Sequence, residues 1–196
     1  MLSSYADRLR LRAIADDPVA QNELGRRLWC GRNIRKNRTL ALKWLRRSAA
    51  TKNVENEGYL GWLLCCEGRN ADEIAEGFKW LQKAGMNGHV QAQYDIGVSY
   101  ALGEFVRRNP KQARKWYQRA ANAGHTEALY NLGVMHWEGD GGPQSREAAH
   151  KCWLKAASQG DLLAQSLLAD AYEVGSMGFK VDKNKARYWR RGLVRG

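Results

Sequence analysis

Small and apolar residues recur along this chain at helical spacing, in two runs that alternate from end to end. Between Val90 and Leu102, Ala92, Ile96, Gly97 and Tyr100 fall at i, i+4, i+5 and i+8, which is one face of a helix. A second run carries Ala113, Trp116 and Ala120 on one face, a small-large-small stripe suited to interlocking with a partner helix. The first run recurs as Ala20, Leu24, Gly25, Leu28, then as Leu60, Gly61, Leu64 with Asn56 in place of the alanine. It returns as Ala128, Leu132, Gly133, His136 and as Ala164, Leu168, Ala169, Tyr172. The second recurs as Ala41, Trp44, Ser48; Gly77, Trp80, Ala84; His150, Trp153, Ala157; and Ala186, Trp189, Leu193.

The interval is fixed. Gly25, Gly61, Gly97 and Gly133 stand 36 residues apart, and the next step falls on Ala169. Tryptophan keeps the same rhythm at Trp44, Trp80, Trp116, Trp153 and Trp189, with one step of 37. A period of that length signals a repeat array in which each unit buries its apolar face against the next. Glycine costs a helix interior about 1 kcal/mol against alanine. Four such costs at one slot predict that a second helix backbone comes too close there for a Cβ.

Helix ends are also legible. Gly31, Gly103, Gly139 and Gly175 close the first helices in a left-handed conformation, whereas the second copy has Glu67 there and Gly68 one later. Asn109-Pro110 opens a second helix, with Asn37, Ser145 and Asp182 as caps in other copies. Ile34, Val106 and Phe179 plug the intervening loops; Asn70 and Pro143 replace the plug in copies two and four, so those loops should differ.

Ala-x-x-x-Leu-Gly-x-x-Tyr-x-x-Gly followed by Lys-x-Ala-x-x-Trp-Tyr-x-x-Ala-Ala resembles the Sel-one-like repeat, a relative of the tetratricopeptide repeat. The third copy matches best, from Ala92 and Gly97 through Ala113, Trp116 and Tyr117 to Ala120-Ala121, and the likeness covers residues 17 to about 193. The resemblance implies an all-α fold, a right-handed α-solenoid of five antiparallel helix pairs, with a concave face that holds another protein. The expected organisation is one repeat domain over residues 1–196, with repeats at about 17–52, 53–88, 89–124, 125–160 and 161–196. Residues 1–16 should form a capping helix through Leu2, Tyr5, Leu9 and Ile14.

Charge sharpens the expectation about partners. The net charge is +12, distributed as +8 over residues 1–50, −2 over 51–175 and +6 over 176–196. Basic ends favour acidic partners through steering and counterion release, beside the plainer role of solubilising the outer helices. Asp7, Arg8, Arg10 and Arg12 interrupt any apolar leader, and no run approaches the ~18 apolar residues that span a bilayer. Cys30, Cys65, Cys66 and Cys152 do not follow the repeat, so no disulfide framework is implied, unlike the stapled secreted branch of the family. The expectation is a cytoplasmic, bacterial-type protein with free thiols, no membrane insertion and no cofactor.

Little in the chain reads as chemistry. His89 and His125 stand one period apart in the turn before a first helix, where copy five has Asp161. His136 occupies the packed slot of Tyr100 and Tyr172, and His150 is two residues from Cys152, a separation that points them apart on a helix. No paired Cys or His has zinc spacing. Gly139-Asp140-Gly141-Gly142-Pro143 lacks the Gly-Lys-Ser/Thr of a phosphate loop. The expected catalytic and metal sites are therefore none, and the chain reads as a non-catalytic adaptor.

Binding should then fall on the first helices, opposite their packed arc. In copy one that side carries Asn22, Arg26 and Trp29 at i, i+4 and i+7; later copies place Trp62, then Tyr94, then Tyr130 and Trp137, then Asp170 and Glu173 on the same stripe. A floor of Trp29, Trp62, Tyr94, Tyr130 and Trp137 suits a protein or peptide segment, with Arg26 at one end and Asp170 and Glu173 at the other to orient it. The alternative is a nucleic-acid-binding solenoid using Arg32, Arg35, Lys36, Arg38 and Arg107, Arg108, Lys111, Arg114, Lys115 on loops and second helices. Those basic residues and the first-helix aromatics are not interleaved, as stacking on bases would require.

Overall fold

Eleven helices account for all regular structure among residues 5–193, the part of the chain that the computed structural model describes. Helix α1 (Tyr5–Ile14) precedes five antiparallel pairs. They are α2 (Pro18–Cys30) with α3 (Arg38–Ala49) and α4 (Val54–Glu67) with α5 (Ala71–Met86), then α6 (Val90–Leu102) with α7 (Pro110–Asn122). The last two are α8 (Thr126–Glu138) with α9 (Arg146–Ser158) and α10 (Leu162–Val174) with α11 (Lys183–Leu193). The chain is all-α, built of consecutive helix pairs in the manner of an α-solenoid. It divides into two compact units, residues 1–92 and 93–196.

Side-chain caps set where most helices begin. Asn37 Oδ1 accepts from Leu40 N at 2.9 Å, Asn109 Oδ1 from Gln112 N at 3.2 Å, Ser145 Oγ from Ala148 N at 3.2 Å and Asp182 Oδ1 from Lys185 N at 3.0 Å. Each such bond satisfies an orphan N–H and contributes about 1 kcal/mol. The two turn histidines act the same way: His89 Nδ1 accepts from Ala92 N at 3.0 Å and His125 Nδ1 from Ala128 N at 3.4 Å. At the other end, Gly31, Gly103, Gly139 and Gly175 take φ of 73 to 79°, the left-handed stop.

Copy two departs as its missing plug implies. Gly68 is extended (φ −62°, ψ 138°), the loop contracts to three residues, and Asn70 caps α5 through Glu73 N at 2.9 Å. Helix α5 therefore gains a turn and reaches 16 residues. Glu73 in that turn accepts from Arg69 N at 2.8 Å and from both terminal nitrogens of Arg38 at 2.8 and 2.6 Å, so it ties copy two to copy one. Arg38 and its hydrogen bonds hold the Glu73 carboxyl at about 2, well below its ordinary 4.5.

In unit 1 the core is formed by Leu24, Leu28, Leu42, Leu45, Leu60 and Leu64, with Trp44 and Trp80 packed on its edge. Helix α1 covers one end of that core with Leu9 and Ala13. Tyr5 and Ile14, expected on that buried face, are instead exposed. Leu9 and Ala13 are four residues apart and share a line, which leaves Ile14 about 100° further round. Leu2 lies outside the described residues. In unit 2 the core is formed by Leu129, Leu132, Trp153, Leu168, Tyr117 and Tyr172.

The repeat glycines are close-packed, by two different means. A Cβ on Gly61 would lie 2.6 Å from Leu81 N and 3.0 Å from Gly77 O, so here the facing backbone does fill the space. At Gly25 the nearest atom is Leu45 Cγ (2.7 Å), at Gly97 it is Tyr117 Cδ1 (2.6 Å), and at Gly133 the indole of Trp153. A backbone neighbour is thus the rule in copy two, and a side chain in the others. Trp153 also explains the step of 37. Counted from its cap Ser145, it sits one position later than Trp44 and Trp116 do from theirs, and Cys152 takes the tryptophan slot. The stripe in copy four is consequently Ala149, Cys152, Ala156 rather than His150, Trp153, Ala157: Ala149 and Ala156 are fully buried, while His150 is only half-buried.

Candidate binding surface

The residues expected to form one stripe fall into three environments, set by position on the first helix. Residues four apart are only about 40° apart round a helix, so Trp29 shares the side of Gly25 that faces α3. Trp29 is accordingly buried (6% exposed), donates from Nε1 to Glu67 Oε2 at 3.0 Å, and lies under the Arg38 guanidinium at 4.8 Å. Trp137, three periods on, repeats this arrangement. It is half-buried, with the Arg146 guanidinium 5.2 Å from its ring and Trp153 at 5.9 Å. Trp29 is packed inside, which corrects its placement on the open face, and Trp137 packs against α9 while remaining half-buried. The signal was the i+4 relation to the repeat glycine.

Tyr94 and Tyr130 occupy a second environment and are half-buried. Tyr94 stacks on His125 (4.4 Å between centroids, planes 13° apart) and meets Tyr117 at 5.9 Å. Burial raises the Tyr94 hydroxyl above its ordinary value, against the hydrogen bond from Asn131. The Tyr130 backbone oxygen accepts from Trp153 Nε1 at 3.3 Å. Asp170 is exposed and Glu173 half-buried, and each carboxylate lies 3.5 Å from Arg190 of α11. Their charge is partly answered within unit 2.

Trp62 and Arg26 are the members that remain open in unit 1. Trp62 is 47% exposed, the one exposed tryptophan of eight. Its ring centroid is 6.3 Å from that of Tyr59, and the exposed Arg26 of α2 places its guanidinium 4.6 Å from the Tyr59 ring. Arg26, Tyr59 and Trp62 therefore form a continuous aromatic-cationic step across α2 and α4 within unit 1. Tyr59 was not in the expected stripe, although its i+3 spacing to Trp62 would have found it. The first helices also expose Val19, Leu102, Leu163 and Val174. These lie on the line opposite the buried arc.

Nothing in these surroundings resembles a reaction centre. His150 Nε2 donates to Met177 O (2.7 Å), and the ring packs on Phe179 at 4.1 Å. None of the four cysteines is in a disulfide; Cys65 is buried, and burial pushes the Cys152 thiol up. Cys30 and Cys66 do stand one period apart, both exposed at the ends of α2 and α4. Among the described residues no His, Cys, Asp and Glu group could hold a metal ion, and no helix is long and apolar enough to cross a membrane.

Comparison with known proteins gives this helix-pair arrangement a family. The Sel1 repeat profile matches residues 18–50, 59–89, 90–125, 126–161 and 162–189. A Sel1 repeat protein from Oxalobacter formigenes is 26% identical and superposes with a TM-score of 0.76, over 96% of this chain and 75% of its own. A protective antigen of uropathogenic Escherichia coli with an SLR fold is 25% identical, with a TM-score of 0.57 over 98% of this chain and 49% of its own. An immunity protein from Pseudomonas aeruginosa shares the fold at 15% identity, with a TM-score of 0.56 over 100% of this chain and 83% of its own. No curated protein matches. With five repeats matched over nearly all of its length, each on an observed helix pair, the chain belongs to the Sel1 repeat family.

Proposed function

We propose that this protein is a non-catalytic adaptor that holds an acidic segment of a partner protein on the first-helix surface of unit 1. Sel1 repeat proteins generally act through protein–protein contact, and their fold is typically non-catalytic. The observation that carries the reading is the exposed Trp62 ring beside Tyr59, with Arg26 continuing the step. A large aromatic left in water on an otherwise well-packed helix pair is the kind of residue that anchors interfaces, and an adjacent guanidinium selects a carboxylate. The net charge of +8 over the first 50 residues supports an acidic partner by steering its approach.

Two of the nine cations named for the nucleic-acid alternative are already engaged with carboxylates. Arg38 is engaged with Glu73, and Arg108 with Asp140 at 2.6 Å and with the Ala101 carbonyl at 3.2 Å. Affinity capture from a native lysate tests the adaptor reading, with wild type and Trp62→Ala run in parallel and nuclease-treated controls. The expected result is a protein retained by wild type and lost by a Trp62→Ala variant of unchanged helicity. Equal retention by the variant, or retention abolished by nuclease, would overturn the reading.

A further inference from the structure

Helix α7 presents an unusual solvent face. Lys111, Arg114, Lys115 and Arg119 fall at i, i+3, i+4 and i+8, and with His136 of α8 and Gly141 they line a cavity of about 450 Å³ in unit 2. No ion pair among the described residues involves any of the four cations. At the equivalent positions of other repeats three of the cations are answered, Arg47 by Asp16, Lys83 by Glu57 and Lys151 by Glu147, while Lys43, Lys79 and Lys155 stand singly without a cluster around them. Helix α7 gathers four such charges around a cavity that no carboxylate lines.

The cavity is also built, not merely bordered. Both terminal nitrogens of Arg114 donate to the Pro143 carbonyl (3.3 and 3.2 Å), and one also donates to His136 Nδ1. Three of the five guanidinium N–H donors are thereby used, which fixes the group and leaves two. The glycine-rich loop has its reason here. A Cβ on Gly141 would strike the Pro110 carbonyl oxygen, so the loop lies flush against α7 only with glycine there, and one on Gly142 would press on Arg114 Nη1 and displace the guanidinium. Because His136 accepts from Arg114, its proton sits on Nε2. Burial, then the Arg114 charge, lowers its pKa and keeps the ring neutral.

We infer that this cavity binds a compact phosphate-class anion, inorganic phosphate or the phosphate group of a small molecule, between Arg114 and the flanking Lys111, Lys115 and Arg119. A fixed guanidinium offers planar, paired donors to a phosphate, and lysine ammoniums add point charges that need no fixed geometry. The site shares no residue with the surface proposed for the partner protein. A polynucleotide is disfavoured because the cationic face stops at α7. On α9 the Lys111 position is Glu147, and the Lys115 position is Lys151, which is spent on that glutamate.

The test is a titration of the full chain with inorganic phosphate and pyrophosphate at constant ionic strength, followed by ¹H NMR of the four histidines. Loss of one signal in His136→Gln assigns the reporter. The expected result is a saturable shift confined to His136, with pyrophosphate binding tighter than phosphate. Arg114→Gln should weaken it about tenfold or more, and so should the Lys111→Gln/Lys115→Gln pair, whose exposed positions keep the fold. Lys52→Gln/Lys79→Gln, which removes two charges from unit 1, should leave it unchanged. No saturable shift by ~10 mM anion, or equal weakening by the unit 1 control, would overturn the proposal. A single-stranded oligonucleotide or a phosphopeptide that displaces pyrophosphate and binds tenfold more tightly would also overturn it, in favour of a macromolecular ligand.

Discussion

Copies two and four close their helix pairs in opposite ways at the same period. In copy two, Gly61 and Gly77 face each other across α4 and α5, the backbones nearly touch, and the loop has shrunk so that α5 gains a turn. In copy four, α8 and α9 stand around an indole: Trp153 is displaced one residue so that its ring fills the space over Gly133, and the loop keeps its glycines. The 36-residue period therefore conserves the position of the void and not what occupies it. Backbone and tryptophan are alternative fillers, and each dictates its loop.

The largest expected effect removes the indole. Trp153→Ala should cost about 4 kcal/mol in urea unfolding, as large-to-small changes at fully buried aromatics do, with unit 2 losing amide protection first. An effect below about 1 kcal/mol would mean that α8 and α9 can collapse onto each other as α4 and α5 have. The converse change adds an atom. Gly61→Ala should cost about 3 kcal/mol because its Cβ meets backbone at 2.6 Å, whereas Gly25→Ala, which meets the movable Leu45 side chain, should cost about 1 kcal/mol. Equal costs in parallel melts would erase the distinction between the two fillers.

An effect that vanishes at low pH probes the extra turn of α5. Glu73 titrates at about 2 in the folded chain and near 4.5 otherwise, so protons bind the unfolded state more readily. Its contribution is complete above pH 4.5 and is lost as pH falls from there toward 2. Glu73→Gln should therefore cost about 2 kcal/mol at pH 7 and almost nothing near pH 2. A gap independent of pH would assign the loss to the cap of α5 and not to the Arg38 pair.

The helix pairs were legible because period, caps and left-handed stops are local: Asn37, Asn109, Gly31 and Gly139 act within one turn of where they stand. The basic ends were equally plain, being a count of charges. The binding stripe was only partly legible. Arg26 and Trp62 are exposed as their phase implies, but Trp29 and Trp137 lie within 40° of the glycine line and turn into the pair. Reading tryptophan by period alone also misregistered copy four. An insertion shifts sequence numbers, whereas packing follows the cap, and the extra residue belongs to the loop from Gly175 to Asp182. The cavity on α7 was not legible at all, since it depends on how the loop from Gly139 to Ser145 lies against the helix.

The open position of Trp62 gives the molecule a built-in optical reporter. Seven of the eight indoles are buried or half-buried, so a charged collisional quencher in solution reaches Trp62 first. The accessible fraction of the intrinsic fluorescence is then a readout of that one surface. A partner that covers it would shield the emission from iodide and shift it to shorter wavelength, without any label on either protein.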